Sequence, residues 1–302
     1  MTVEMIPFAE GEAVLDWHGL IEALAQGHGL PKAEIADTFL YRRTDTLLNR
    51  AAWIDGLGIA VKSATIFPGN LERGEPAVNG GVNLYSDTYG TLSAIIDFHL
   101  VTKWKTAGDS LLAASRLARP DSKVVLIVGA GTVARSLREA YGALFPAARF
   151  LVWNRTSEKA QALAATTGME AARDLEAAVG EADIVACATM STEPVLRGAW
   201  LRPGQHIDLI GAYRPDMREA DDEALRRARI FVDSFDTTIG HIGELKIPLA
   251  NGAITRQDVL ADYYDLAAFT RAPEDITLFK NGGGAHLDLM TCTYILKRWS
   301  GR

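Results

Sequence analysis

An apolar run, Val124-Val125-Leu126-Ile127-Val128, feeds directly into Gly129-Ala130-Gly131-Thr132-Val133-Ala134, and a helical pattern follows without a break. No other stretch of the 302-residue chain constrains the fold as strongly. Gly129 suits the tight turn that leaves a strand. Gly131, having no Cβ, lets a pyrophosphate approach the backbone, and Ala134 is small enough for close helix–strand packing. The helix that begins here aims free N–H groups and the positive end of its dipole at phosphates. The pattern predicts a dinucleotide-binding turn in which Gly129, Gly131, Thr132 and Val133 meet the cofactor. An ordinary strand–helix turn is the competing reading.

Around this turn the chain alternates strand and helix. Strands are expected at 124–128, 149–153, 184–188, 206–210 and 230–232, and helices at 133–144, 157–166, 174–179 and 221–227. That alternation predicts an α/β protein with a Rossmann-type, doubly wound parallel sheet. A further helix is expected at 255–269. The first hundred residues read as α+β. Helical spacing over 11–26 is followed by strand-like runs at 51–54, 58–66, 81–85 and 91–96, which point to a meander or a partly closed sheet. A long helix over 98–117 ends at Arg119-Pro120-Asp121-Ser122, which reads as a linker. The expected organisation is a smaller substrate-binding and dimerisation domain over 1–119, completed by 280–302, and a dinucleotide-binding domain over 120–279.

Composition supplies the exclusions. The chain is 48% hydrophobic and 23% charged, as soluble globular proteins are. A net charge of −7 argues against nucleic acid as a partner, and Arg226-Arg227 reads as a solvated helix face. No window reaches ~18 uninterrupted apolar residues, so no membrane span is expected. No charged-then-apolar leader opens the sequence, which points to the cytoplasm. Cys187 and Cys292 are too few for a disulfide framework and read as small buried hydrophobes. Asp233, Asp236 and His241 lack the spacing of a metal site, so no metal is expected.

The second half of a cofactor site falls at Asn154-Arg155-Thr156, where an NAD-selective chain usually carries an acidic residue for the ribose hydroxyls. A guanidinium and a hydroxyl suit a 2′-phosphate instead, which favours NADP(H) with NAD(H) as the lesser option. The alternative is that Arg155 is a surface residue and Glu158 supplies the acid. Thr189 and Met190, after a later strand, are placed on the nicotinamide side.

Several further segments share an order and spacing: Gly58-Ile59-Ala60-Val61-Lys62, Phe67-Pro68-Gly69-Asn70, Pro76 with Gly80, and Thr102-Lys103-Trp104-Lys105-Thr106-Ala107 leading to Ser110. Gly211-Ala212-Tyr213-Arg214-Pro215-Asp216-Met217-Arg218-Glu219 and Thr277-Leu278-Phe279-Lys280-Asn281-Gly282-Gly283-Gly284 follow. Together with the glycine turn they cover most of the chain, which resembles the ornithine cyclodeaminase/mu-crystallin family. The resemblance implies a homodimer acting on a small molecule with an α-carboxylate, recognised by Arg43 or its neighbour Arg42, Lys62 and Lys105. Two arguments from the residues themselves agree in part. Lys62 ends an apolar strand segment, where an ammonium is costly unless neutralised. Lys103 and Lys105 lie early in a helix, where cations oppose the dipole and a bound anion would reverse the effect. A salt-bridged Lys62 and solvent-facing Lys103, Lys105, Arg42 and Arg43 are the plainer readings. His286 and Asp288, after the glycine run, either approach the nicotinamide or are ordinary polar loop residues.

Two positions depart from the family pattern. Lys105 replaces an arginine and loses its two-pronged geometry. Tyr213 replaces the aspartate that cyclodeaminases use on the substrate's side-chain amine. Both weigh against ornithine cyclisation. The reading that follows is an NADP(H)-dependent oxidoreductase at the α-carbon of an amino or imino acid. Ornithine cyclodeaminase and a non-catalytic NADPH-dependent ligand binder are the alternatives.

Overall fold

The chain divides into two compact units, one of Met1–Lys105 with Gly284–Arg302 and the other of Thr106–Gly283. A computed structural model describes residues 3–301, Leu71 by its backbone alone, so the expected domain ends at 1 and 302 lie outside the described residues.

The first unit opens with β1 (Glu4–Ile6), α1 (Phe8–Glu12) and α2 (Trp17–His28). The single helix expected over 11–26 is two, because Asp16 turns extended and its carboxylate accepts the N–H of Gly19 at 2.7 Å, capping α2 afresh. Five strands follow: β2 (Glu34–Arg42), β3 (Asp45–Ile54), β4 (Gly58–Ile66), β5 (Val78–Tyr85) and β6 (Leu92–Asp97). They form an open sheet in the order β1-β6-β5-β4-β3-β2, antiparallel except where β1 joins β6. Every residue of β2 is exposed, so its sequence carries no inside–outside alternation and the strand escaped the sequence reading. β4 alternates cleanly, with Gly58, Ala60, Lys62 and Ala64 on its buried face. Helix α3 (Phe98–Leu117) starts on a side-chain cap, the N–H of Leu100 donating to Asp97 at 2.8 Å. The division between units falls inside this helix, after Lys105, and not at the Arg119–Ser122 turn beyond it.

The second unit is built on β7 (Val124–Val128), α4 (Thr132–Leu144), β8 (Arg149–Trp153), α5 (Ser157–Thr167), β9 (Glu170–Ala171), α6 (Leu175–Glu181), β10 (Ile184–Cys187) and β11 (His206–Leu209). α7 (Asp222–Arg227), β12 (Arg229–Val232), α8 (Phe235–Thr238), α9 (Gly243–Ala250), β13 (Val259–Ala261) and β14 (Thr277–Lys280) complete it. The sheet is parallel throughout, in the order β13-β12-β14-β11-β10-β7-β8-β9. The chain starts near the middle, winds outward through β8 and returns beside β7 with β10. The β7/β10 boundary is therefore the point where winding reverses, the usual ligand position in such sheets. Val125, Leu126, Ile127 and Val128 are fully buried, as strands covered on both faces must be. Where a helix was expected over 255–269, the structure has β13 between two short 3₁₀ turns. Val259 and Ala261 point inward around exposed Leu260, a period of two that the surrounding polar residues disguised.

One carboxylate fastens the amino ends of two strands. Asp183, just before β10, accepts N–H bonds from Lys123 at 2.7 Å and Val124 at 3.1 Å, and pairs with Arg119 at 2.6 Å and Arg202 at 2.9 Å. Burial alone would raise its pKa, but these donors hold it below the usual carboxylate range. After β14 the chain returns to the first unit as α10 (Ala285–Ser300), which packs on β3 and β4 and beside α2. There the Tyr294 hydroxyl donates to the Asp16 carbonyl at 2.9 Å.

Candidate active site

In the first unit, strand alternation puts Lys62 on the buried face of β4, where an ammonium needs a counter-charge. Asp288, in the first turn of α10, provides it: Nζ of Lys62 lies 3.0 Å from Oδ1. The ammonium also lies 4.8 Å from the centre of the Phe98 ring. Asp288 is 1% exposed, and its Oδ2 accepts no hydrogen bond among the described residues. Burial pushes its pKa up, yet the charges of Lys62, Lys105 and Arg50 together hold it below the usual range. Arg50 enters because it sits on β3 directly opposite Lys62 in the antiparallel register. Its guanidinium is braced from β2 by Asp37, at 3.1 Å. Lys105 is buried on α3. The buried imidazole of His286 is driven down to about 3, first by its burial and then by Lys105, so it is neutral near pH 7. Lys62, Arg50 and Lys105 thus lie about the fully buried Asp288, with Asp37 on Arg50. Cations so gathered can bind a carboxylate by charge-assisted hydrogen bonds.

Lys62 and Lys105 are the predicted residues that the structure brings together. Arg42 and Arg43 lie elsewhere, at the tip of the β2–β3 hairpin. Arg43 takes a left-handed φ of 56° in the turn, and Arg42 pairs with Asp45 at 2.9 Å. About 17 Å of strand separates Asp45 from Arg50 at ~3.4 Å per residue. Lys103 turns to Glu12. Arg50 is the residue that sequence reasoning passed over; Asp288, read there as a nicotinamide-side or ordinary polar loop residue, lies in α10 as the partner of Lys62. Arg50 becomes legible once β3 begins at Asp45, since register then sets it beside Lys62.

A cavity of about 450 Å³ opens between α2 and α10, lined in part by Gly19, Ala23, Gly27, Met290 and Tyr294. At 100° per residue its α10 lining lies on the far side of that helix from Asp288, so it is separate from the cationic cluster.

In the second unit the glycine turn has the form a dinucleotide needs. Gly129 adopts φ 112°, and a Cβ there would fall 2.6 Å from the Ala188 carbonyl oxygen. Its N–H donates to Trp153 at 2.8 Å, tying the turn to the end of β8. Gly131 is the N-cap of α4 and supplies no side-chain cap; a Cβ added to it would meet nothing within 4 Å. Open space above uncapped N–H groups at Thr132 and Val133 fits a pyrophosphate. Beside it, the Asn154 amide donates to the Thr156 carbonyl at 3.0 Å, Arg155 is exposed, and the first acidic residue is Glu158 in α5.

The ends of β10 and β11 are held by a single buried carboxylate. Glu219 accepts the N–H and the hydroxyl of Thr189 at 2.6 and 2.7 Å, and the N–H of Gly211 at 2.6 Å. Gly211 has no room for a side chain, since its Cβ would lie 1.8 Å from the Thr189 carbonyl oxygen. Burial and the neighbouring Glu244 push Glu219 up to about 8, with Lys280 opposing them. Met190 and Tyr213 project from these loops, 72% and 58% exposed. Asp216 pairs with Arg214 at 2.9 Å. Asp233 is buried and takes N–H bonds from Ser234 and Gly283, which makes it a loop anchor. Among the described residues no group of three His, Cys, Asp or Glu side chains is placed to hold a metal.

A profile of the family described as "Ornithine cyclodeaminase/mu-crystallin family" matches residues 54–302. A Delta(1)-pyrroline-2-carboxylate reductase of Paracoccus denitrificans (strain Pd 1222) is 52% identical over 308 residues, covering 99% of this chain and 98% of the relative. Among solved structures, the Thermococcus litoralis Delta(1)-pyrroline-2-carboxylate reductase in complex with NADH and L-proline matches with a TM-score of 0.88 at 25% identity, over 99% of this chain and 98% of that one. An archaeal alanine dehydrogenase dimer with bound NAD matches with a TM-score of 0.89 at 26% identity, over 100% and 97%.

Proposed function

We infer the function from one premise: the chain belongs to the ornithine cyclodeaminase/mu-crystallin family. The protein is an NAD(P)-dependent oxidoreductase that reduces a small cyclic imine bearing a carboxylate. Delta(1)-pyrroline-2-carboxylate, the substrate in the Paracoccus relative's name, is the first candidate. The observation that carries this reading is the buried Lys62–Asp288 pair with Arg50 and Lys105 beside it. The substrate's acid is gripped by Arg50 and Lys105, which fixes the position of the C=N carbon. The Lys62 ammonium then gives one proton to the imine nitrogen, and the resulting amine is recharged from solvent. When bound, the nicotinamide supplies the hydride that becomes the new C–H bond.

The 106–283 unit is the cofactor domain, with Gly129, Gly131, Thr132 and Val133 at the pyrophosphate and Thr189 and Met190 toward the nicotinamide. Asn154, Arg155 and Thr156 support NADP(H) over NAD(H), because a guanidinium and a hydroxyl there match a 2′-phosphate. The other unit binds substrate and joins two copies of the chain. Exposed Phe39, Leu40 and Tyr41 on the edge strand β2 support a homodimer, as does the dimeric archaeal relative. No helix among the described residues is long and apolar enough to cross a membrane.

The test is NADPH oxidation with Delta(1)-pyrroline-2-carboxylate, with proline as the product. The expected result is stoichiometric proline and a lower KM for NADPH than for NADH. No turnover with this imine or its six-membered analogue overturns the reading. Ornithine should release no ammonia, since Tyr213 carries no charge to hold its side-chain amine.

A further inference from the structure

Resting on the reading above, one residue of the cationic cluster has no task in it. Asp288 is as deeply buried as any core side chain, yet it faces Lys62 and leaves Oδ2 without a hydrogen bond among the described residues. Three cations, Lys62, Lys105 and Arg50, act on this buried carboxylate, and an incoming substrate carboxylate would meet the same three. Arg50 is partly engaged by Asp37 across the strand pair, at the half-exposed rim of the cluster. Lys62 is engaged by Asp288 at its buried floor.

We propose that Asp288 is a positioning residue: its ion pair withholds Lys62 from the substrate's carboxylate, leaves that group to Arg50 and Lys105, and holds the ammonium for the imine nitrogen. The groups that face the pair are few. β3 contributes Arg50 and α3 contributes Lys105. α10 itself contributes His286 and the Cys292 thiol. The segment after α2 contributes Lys32, through its effect on His286, and α2 ends at His28, whose ring meets His286 edge-on at 5.2 Å. His286 titrates near 3, and burial and the Asp288 charge push the Cys292 thiol well up. Neither of these supplies charge in the neutral range, and Asp288 is the carboxylate in contact with Lys62 among the described residues.

The substitution Asp288→Asn keeps the shape and removes the charge. In the full-length protein with NADPH and Delta(1)-pyrroline-2-carboxylate, kcat should fall at least about tenfold at neutral pH. The alkaline limb of the kcat profile should move down by roughly 1–3 pH units, the effect of losing one adjacent opposite charge. KM for the imine should stay the same or drop, because Lys62 is released to join the grip on the carboxylate. Asp288→Glu should bring the alkaline limb back toward the wild-type position. A thermal melt followed by circular dichroism, compared with that of the wild-type protein, reports folding in each variant. If Asp288→Asn does not fold, the Asp288→Glu profile decides, and an alkaline limb displaced as far as the loss of the charge would move it overturns the proposal. A wild-type kcat profile for Asp288→Asn, or a raised KM at unchanged kcat, also overturns it. Lys62→Met separates this failure from that of the reading beneath it. A Lys62→Met enzyme that turns over normally removes Lys62 as the acid, and this inference with it. An inactive Lys62→Met beside an unaltered Asp288→Asn removes Asp288 alone.

Discussion

In the 106–283 unit the candidate cofactor site is made of main chain: a glycine at φ 112°, the uncapped start of α4, and loops whose N–H groups converge on Glu219. In the other unit the candidate substrate site is made of side chains: Arg50, Lys62, Lys105 and Asp288, brought from two strands and two helices. The contrast follows from the ligands each is suited to. A pyrophosphate is large and multiply charged, and a row of backbone dipoles can hold it with little help from side-chain identity. A small carboxylate offers two oxygens, so binding and chemistry rest on a few fixed charges, each with its own pairing to satisfy. Backbone sites fail when space is lost. Side-chain sites fail when charge is lost.

Replacements can test that contrast. The greatest loss is expected from Gly129→Val, whose side chain would enter the Ala188 carbonyl and strain a left-handed turn. NADPH binding measured by fluorescence should weaken more than about 100-fold, with the first unit's fold intact. Arg50→Gln keeps hydrogen-bonding capacity and removes charge. KM for the imine should rise roughly 10- to 100-fold, the range for a lost charged hydrogen bond, while KM for NADPH holds. Acid should act on both units alike. His206 and His286 are each held near 3 by burial against an ordinary 6.5, so the unfolded chain binds more protons between those values. Stability is therefore untouched above about pH 6.5 and falls below it, by about 2 kcal/mol per histidine on reaching pH 5. Thermal melts of His206→Gln and His286→Gln should each show a flatter acid slope. Arg155→Gln should raise KM for NADPH about tenfold and leave NADH unaffected; equal changes for both would remove the 2′-phosphate contact. Arg43→Ala, at an exposed hairpin tip, should alter KM for the imine less than twofold; a tenfold rise would return Arg43 to the substrate site.

The same contrast explains what could be read from the sequence. The glycine turn lies in one uninterrupted stretch, and its strand, turn and helix all depend on local patterns, so the turn and the parallel sheet were legible. Lys62 stood out because a charge among alternating apolar residues is locally anomalous. Arg50 carried no such mark. It lies in a strand whose residues are mostly half-exposed, and only its pairing with β4 gives it meaning. Asp288 looked like one polar residue after a glycine run, since nothing near it in the chain reveals a partner on β4. Arg42 and Arg43 were named through the family resemblance, but a hairpin turn holds them at the sheet's margin.

The ion pair between Lys62 and Asp288 spans 226 positions of sequence. The whole 106–283 unit is encoded between them, so a ribosome finishes that unit before Asp288 is made. Until then β4 carries an ammonium with no counter-ion, and its sheet lacks the helix that covers it. A translation product that stops short of α10 therefore leaves Lys62 without its counter-ion and β3 and β4 without the helix that packs on them.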